Sequence, residues 1–301
     1  MPPLRLLALR ALVWLGGRVP TRALDVAAVI LGTLAWYAAP RLRAVTRDHM
    51  RHVLGPGTPS ARIDAAARGC VRATARYYAD FAAGPHRGTA RPFERAEGLM
   101  HITDAAARGR GVILLSAHLG SPESIGRTLV ELGIDLLVLT EPLQPQAVDD
   151  FVRAVREATT PGARFVTADL AGVRLAIEHL RRGGVVAALG DRDVLGNGVS
   201  QLFFGERARL PAGVADLALR SGAEVVPGFA LRTPGGGIRA VVEPPLHLPH
   251  TNDPNADREE ARRLVLTALE RGIRLAPDQW FPLQPVWSGL GGGVEREAHR
   301  S

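Results

Sequence analysis

Apolar positions along this chain follow two periods. From residue 111 onward, short apolar runs alternate with longer stretches whose apolar residues recur every three or four positions. The runs "GVILLSA" (111–117), "IDLLVLT" (134–140), "ARFVTA" (163–168) and "GVVAALG" (184–190) predict strands. Their nearly unbroken apolarity is that of strands covered on both faces. Between them, Ser121 caps a predicted helix that starts at Pro122 and runs to Gly133, and "PQAVDDFVRAVREAT" and "LAGVRLAIEHLRR" predict two more. Strands alternating with helices mean βαβ units, and so an α/β fold with a largely parallel central sheet flanked by helices. Further on, "AGVADLALRSG" predicts a helix, "AEVVPGFALR" and "IRAVVEPPL" two strands that pair antiparallel at an edge, and "PNADREEARRLVLTALERGIRLAP" a long helix. Residues 60–83 also read as a helix, and "GPHRGTARP" as a loop. The glycine-rich "GLGGGVEREAHRS" reads as a frayed tail, and there is no internal repeat.

The first 50 residues differ in character. "LRLLALRALVWLGGRVP" is apolar at Leu6, Leu7, Leu9, Leu12, Val13 and Leu15 but is interrupted by Arg5, Arg10 and Arg18. "ALDVAAVILGTLAWYAAP" (23–40) is apolar with one acid, Asp25. A spanning helix needs about 20 mainly apolar residues, so this run is marginal. Arg10 and the lack of a small-residue cleavage site argue against a cleaved leader. Two amphipathic helices lying on an anionic bilayer face fit leucines and arginines together, with the basic "RLRAVTRDHMRHVLG" at headgroup level. Ordinary core-packing helices are the competing reading. The expected organisation is membrane-associating helices over 1–50, an α/β domain over 51–287 and a flexible tail over 288–301.

Charge narrows the partners. The chain carries 37 basic residues, every one an arginine, with a formal charge of +7, which favours an anionic partner. The arginines form no dense tract interleaved with aromatics, so nucleic acid is not expected. The one cysteine, Cys70, excludes an internal disulfide and sits in a helical pattern as a structural thiol.

Candidate chemistry gathers at two strand ends. In an open α/β sheet ligands collect beyond the carboxyl ends of the strands. His118 follows one predicted strand, and "GDRD", with Asp191 and Asp193, follows another. Glu123 falls in the first turn of the helix opened by Pro122, where the free N–H groups favour a carboxylate. A carboxylate beside His118 would fix its tautomer and let the neutral ring take a proton from a hydroxyl; Glu123, Asp191 and Asp193 are all candidates. "DRDVLGNG" fails as a calcium loop because Leu195 and Leu202 stand at ligand positions. The chain has no G-x-S-x-G elbow, no lysine for a Walker loop and too few His and Cys at ligand spacing for zinc, so no metal is expected. What survives is general-base activation of a substrate hydroxyl without a protein nucleophile.

"GVILLSAHLGSPE" resembles the H-x4-[DE] motif of the lysophospholipid acyltransferase superfamily, with His118 and Glu123 in its two positions. "GDRDVLGNGVSQLFFGERARLPAGVADLALRSGAEVVPGFALR" and "PDQWFPLQPVW" resemble later signatures of one branch, the lipid A lauroyl and myristoyl acyltransferases and phosphatidylinositol mannoside acyltransferases. The resemblance runs from about residue 5 to 287. It departs at Ser121-Pro122, where that branch often has Asn-Trp, and at His49, where Asn is usual. It implies a glycerol-3-phosphate acyltransferase-like fold and acyl transfer from an acyl-CoA or acyl carrier protein thioester to a hydroxyl of a membrane glycolipid or phospholipid. That co-substrate would stand in place of a cofactor. His118 would act as base and Glu123 would orient it, with Asp191 or Asp193 sharing the task. Backbone N–H groups around Gly120, or an arginine, would hold the oxyanion. Arg207 and Arg209 would bind phosphate, with Arg164 and Arg174 as further candidates. Phe203 and Phe204 would line an acyl channel or simply pack, and Trp280 and Trp287 would anchor at the interface or in the core. The implied location is the cytoplasmic face of the bacterial inner membrane, peripheral or single-pass. A non-catalytic lipid-binding protein keeping the same fold is the alternative.

Overall fold

A computed structural model describes residues 4–87, 93–193 and 196–287; the expected tail lies outside them. Four helices come first: α1 (Leu4–Gly16), α2 (Thr21–Ala38), α3 (Pro40–Leu54) and α4 (Ser60–Arg87). The α/β part follows in the order β1 (Phe93–Glu97), α5 (Met100–Ala107), β2 (Val112–Ser116), α6 (Pro122–Glu131), β3 (Leu136–Thr140), α7 (Gln146–Thr159), β4 (Arg164–Thr167), α8 (Leu170–Arg181) and β5 (Val185–Leu189). It ends with β6 (Val199–Phe203), β7 (Glu206–Leu210), α9 (Gly213–Ser221), β8 (Glu224–Arg232), β9 (Ile238–Val242) and α10 (Pro254–Leu275).

Seven strands form one sheet in the order β1-β9-β8-β2-β5-β3-β4, and β6 with β7 forms a separate antiparallel ribbon. Pairing is parallel except between β8 and β9, so the sequence pattern predicted the sheet and its antiparallel pair. The edge beyond β9 is closed by β1, which the pattern does not predict. "FERAE" has no apolar alternation, and the strand is fixed by backbone pairing and by Glu97 on Arg239.

Alternate residues of the buried strands feed two cores. Ile113 and Leu115 of β2 pack with Val186, Val225 and Phe229 against α8, α9 and α10. Val112 and Leu114 face the other way, with Val185, Val226 and Ala230, towards α5 and α6. The four leading helices are bound to the rest: α1, α2 and α3 all pack on α4, and Arg72 and Arg87 of α4 donate to Thr33 and Thr21 of α2. Pro40, at the first position of α3, follows an extended Ala39, so α2 and α3 meet at 99°. Among the described residues no single helix is long and apolar enough to cross a membrane, although α2 and α3 together would qualify as a bent pair. Leu4, Leu7, Trp14 and Leu15 on α1 and Val26, Ile30, Leu31, Leu34 and Tyr37 on α2 are exposed.

Close approach of α10 to the sheet depends on Gly272, where an added Cβ would lie 2.1 Å from the ring of buried Phe229. Gly272→Ala is expected to cost about 1–3 kcal/mol in urea unfolding. Gly213→Ala, with open space around its Cβ, is expected to stay within about 0.5 kcal/mol of wild type. Equal behaviour of the two variants would contradict this packing.

Candidate active site

Register places the central pair. β2 and β5 are parallel neighbours, paired from Val112 against Val185 to Ser116 against Leu189. Two residues beyond that last pair stand His118 and Asp191, so the two strand ends deliver an imidazole and a carboxylate to one point. His118 Nδ1–H donates to Asp191 Oδ1 at 2.9 Å, and the His118 backbone N–H donates to Oδ2 at 3.0 Å. The Trp280 indole N–H donates to the same Oδ2 at 2.8 Å. Asp191 is wholly buried, whereas the His118 side chain is 20% exposed. Burial alone would push the Asp191 carboxyl up. The His118 ring and the N–H donors of Trp280 and His118 outweigh it and hold the carboxyl below its ordinary value. An ionised carboxylate only accepts, so it assigns the ring proton to Nδ1 and leaves Nε2 as the basic nitrogen. Among the described residues Nε2 has no hydrogen-bond partner.

The turn after β2 is shaped by backbone bonds. Gly120 has φ 65°, and a Cβ there would meet the Ala230 carbonyl oxygen at 2.1 Å, so only glycine fits. Gly120 N–H donates to Gln279 O, Ser121 N–H to Ala230 O and Leu119 N–H to Ala117 O. The N–H groups of residues 118 to 121, expected as oxyanion donors around Gly120, are all engaged within the protein. Phe281 N–H donates to His118 O, so the segment 279–281 clasps this turn while Trp280 secures Asp191.

Beside the pair lies a second polar network. Glu123, in the first turn of α6, accepts from Tyr77 of α4 at 2.8 Å rather than from His118. The Arg156 cation of α7 lies close enough to Tyr77 and Glu123 to interact with both. Burial, with the Glu123 carboxylate next to it, raises the Tyr77 hydroxyl so that it stays a donor. Burial opposes the Arg156 cation, but Tyr77 and Glu123 more than compensate. Arg192, one residue past Asp191, forms an ion pair with Glu141 at the end of β3. Tyr77 lies against Phe281 and Phe281 against His118, with ring centroids 5.1 and 6.1 Å apart. Glu123 is thus at the site but does not orient His118.

The remaining expected residues are dispersed. Asp193 does not touch His118; its Oδ2 accepts from Gly198 N–H at 2.9 Å and closes the following loop. Arg164 opens β4 and so lies at the opposite rim, bonded to His179 and Asp135 beside a cavity of about 590 Å³. It is therefore not brought together with His118 and Asp191. Arg174 is exposed on α8. Arg207 and Arg209 face solvent on β7, opposite Leu202 and Ser200 of β6. Phe203 is fully buried and stacks near Trp287, a packing role. Trp280 and Trp287 are core residues.

Four participants escaped sequence reasoning. Trp280 was read as anchor or filler, because its partner depends on which strands are neighbours. Tyr77 and Arg156 lie on helices whose apolar periodicity gave no reason to single them out. His49 was noted only as a departure; it is 2% exposed between Trp280 and Trp287, at 5.2 and 5.8 Å. Burial lowers its pKa to about 3, so the ring behind Asp191 is uncharged and does not compete with His118.

The open, mostly parallel sheet with a polar pair at its carboxyl rim defines an α/β enzyme frame. The sequence model of the bacterial lipid A biosynthesis acyltransferase family matches residues 7–288. The chain belongs to that family and is an acyltransferase. The phosphatidylinositol mannoside acyltransferases of two Mycobacterium tuberculosis strains, CDC 1551 / Oshkosh and ATCC 25618 / H37Rv, are each 28% identical over 251 residues, covering 80% of this chain and 76% of theirs. The protein of that name from Mycolicibacterium smegmatis is 27% identical over 193 residues, 62% of this chain and 60% of its own. These matches bear out the resemblance seen in the motifs.

The depressed Asp191 carboxyl makes a pH-dependent stability prediction. Its stabilisation is complete above the unfolded value of about 3.9 and is lost as pH falls through the lower folded value. Against Asp191→Asn, the wild type should be more stable by about 1–3 kcal/mol at neutral pH, and urea titrations should show the gap closing in strong acid. A gap that does not change with pH would contradict an ionised Asp191.

Proposed function

We propose that this acyltransferase moves a fatty acyl chain from an acyl-CoA or acyl carrier protein thioester to a sugar hydroxyl of a membrane glycolipid, with His118 as general base. The observation that carries the reading is the bond from His118 Nδ1–H to buried Asp191, which leaves Nε2 as the basic nitrogen of a partly exposed ring. The acceptor hydroxyl gives its proton to Nε2 as its oxygen attacks the thioester carbonyl. The tetrahedral intermediate then expels the thiolate, and His118 returns the proton to sulfur, so an ester and a free thiol are formed. Asp191 keeps the tautomer and stabilises the imidazolium that forms between the two steps. Since the strand-end turn offers no spare N–H, the oxyanion is held by a side chain; Arg156 and Arg192, whose neighbours already gather at this rim, are the cations at hand. Glu123 and Tyr77 favour the Arg156 cation.

The glycolipid acceptor draws support from the names of the family and of the mycobacterial relatives. Peripheral attachment to a bilayer, which this reading places at the cytoplasmic face of the inner membrane, draws support from the exposed leucines, Trp14 and Tyr37 on α1 and α2 and from the basic α3.

General-base assistance is worth about 10²–10⁴ in rate. His118→Ala is therefore expected to lower acceptor-dependent release of free thiol from acyl-CoA by that factor without loss of helix content. Thiol release unchanged in that variant would contradict the assignment, and release by the wild type without any acceptor would indicate a hydrolase.

A further inference from the structure

At the corner where α2 meets α3, two guanidinium groups converge on one indole. The Arg43 and Arg68 carbons each lie 5.6 Å from the centre of the Trp36 ring. Both also touch Tyr37: Arg43 Nη1 donates to its carbonyl at 3.2 Å and Arg68 Nη1 to its hydroxyl at 3.1 Å. Among the described residues neither arginine is paired with a carboxylate. The nearby acid, Asp64, one helical turn before Arg68, is held by Arg47 at 2.8 Å. Donors are also left over in the interior of the corner. Trp36 is 5% exposed, yet its indole N–H has no partner, and neither has Arg68 Nε–H. Two cations of like sign beside buried, unused N–H groups call for an anion, since buried donors are ordinarily satisfied.

The surroundings say where that anion comes from. Val26, Ile30, Leu34 and Tyr37 are exposed at helical spacing and form a stripe along α2 that ends at this corner. A stripe of that kind lies in the acyl region of a bilayer, and aromatic rings with arginines at its end sit at headgroup depth. We propose that Trp36, Tyr37, Arg43 and Arg68 form a binding site for the phosphate of an anionic phospholipid, apart from the catalytic pair. This rests on the membrane attachment put forward above and adds a specific headgroup contact to it. The phosphate oxygens accept from the guanidinium N–H groups, with Tyr37 setting their spacing. A lipid gripped there fixes the depth of α3, whose far end carries His49 behind Asp191, and so fixes the height of the site above the bilayer.

The test is vesicle flotation of the full chain in about 0.5 M salt, where diffuse attraction is screened to a few ångströms. Vesicles of phosphatidylcholine alone are compared with an equimolar mixture of phosphatidylcholine and phosphatidylglycerol. Wild type should float with both and prefer the mixture by about tenfold, equivalent to about 1.4 kcal/mol. Arg43→Gln/Arg68→Gln should lose that preference while still floating with phosphatidylcholine, and Trp36→Phe, which keeps the ring and removes the indole N–H, should lose part of it. Arg22→Gln/Arg41→Gln, which removes the same charge from exposed positions of α2 and α3, should keep it. Equal loss in both double variants would overturn the site in favour of diffuse charge. Abolition of the preference by millimolar inorganic phosphate would assign the site to a free anion instead of a lipid. Flotation with neither vesicle would overturn the membrane attachment itself, and the site with it.

Discussion

A carboxylate with no access to water sits between an imidazole and an indole, and most of this fold can be understood as the means of keeping it there. Desolvating Asp191 is costly, and the cost is met by three N–H donors drawn from distant parts of the chain. His118 gives two of them because β2 and β5 are parallel neighbours in register, and Trp280 gives the third because the segment after α10 returns to pair with the turn following β2. Remove the sheet order or the returning segment and the buried charge loses its partners. The same constraint fixes the tautomer, since an ionised Asp191 decides which ring nitrogen of His118 is left basic.

The second constraint is that the turn carrying His118, residues 118 to 121, has no backbone N–H to spare. Its N–H groups are tied to Asp191, Ala117, Gln279 and Ala230, which makes the turn rigid and removes it as a source of oxyanion donors. Under the proposed mechanism charge stabilisation falls to side chains, for which the helix-borne set of Glu123, Tyr77 and Arg156, with the Arg192–Glu141 pair, is the source put forward. A rigid base and an electrostatic set built on separate elements would suit a reaction in which charge develops on an oxygen of a bulky substrate.

Much of this was legible in the sequence, for identifiable reasons. Unbroken apolar runs such as "GVILLSA" and "GVVAALG" announce strands covered on both faces, and the polar residues immediately after them had to fall on the carboxyl rim. What periodicity cannot carry is strand order. The residues alone leave Glu123, Asp191 and Asp193 unranked as partners of His118, and the bond goes to Asp191, 73 residues away, because β5 inserts between β2 and β3. Arg164 was misplaced for a related reason: it opens its strand, so its side chain belongs to the other rim. β1 was invisible because an edge strand held by backbone pairing and one ion pair needs no apolar alternation, and the β6–β7 ribbon shows its inward face only through Phe203, Ala208 and Leu210. The leading helices gave mixed signals because they do two things at once, packing on α4 while leaving an apolar stripe outside.

The tautomer of His118 is the property on which these conclusions converge, and nitrogen-15 NMR of histidine-labelled protein at neutral pH reads it directly. The His118 ring should show a protonated Nδ1 and an unprotonated Nε2, and Asp191→Asn, which loses the ionised acceptor, should abolish that preference. A proton resident on Nε2 in the wild type, or a ring indifferent to the Asp191 substitution, would contradict the account.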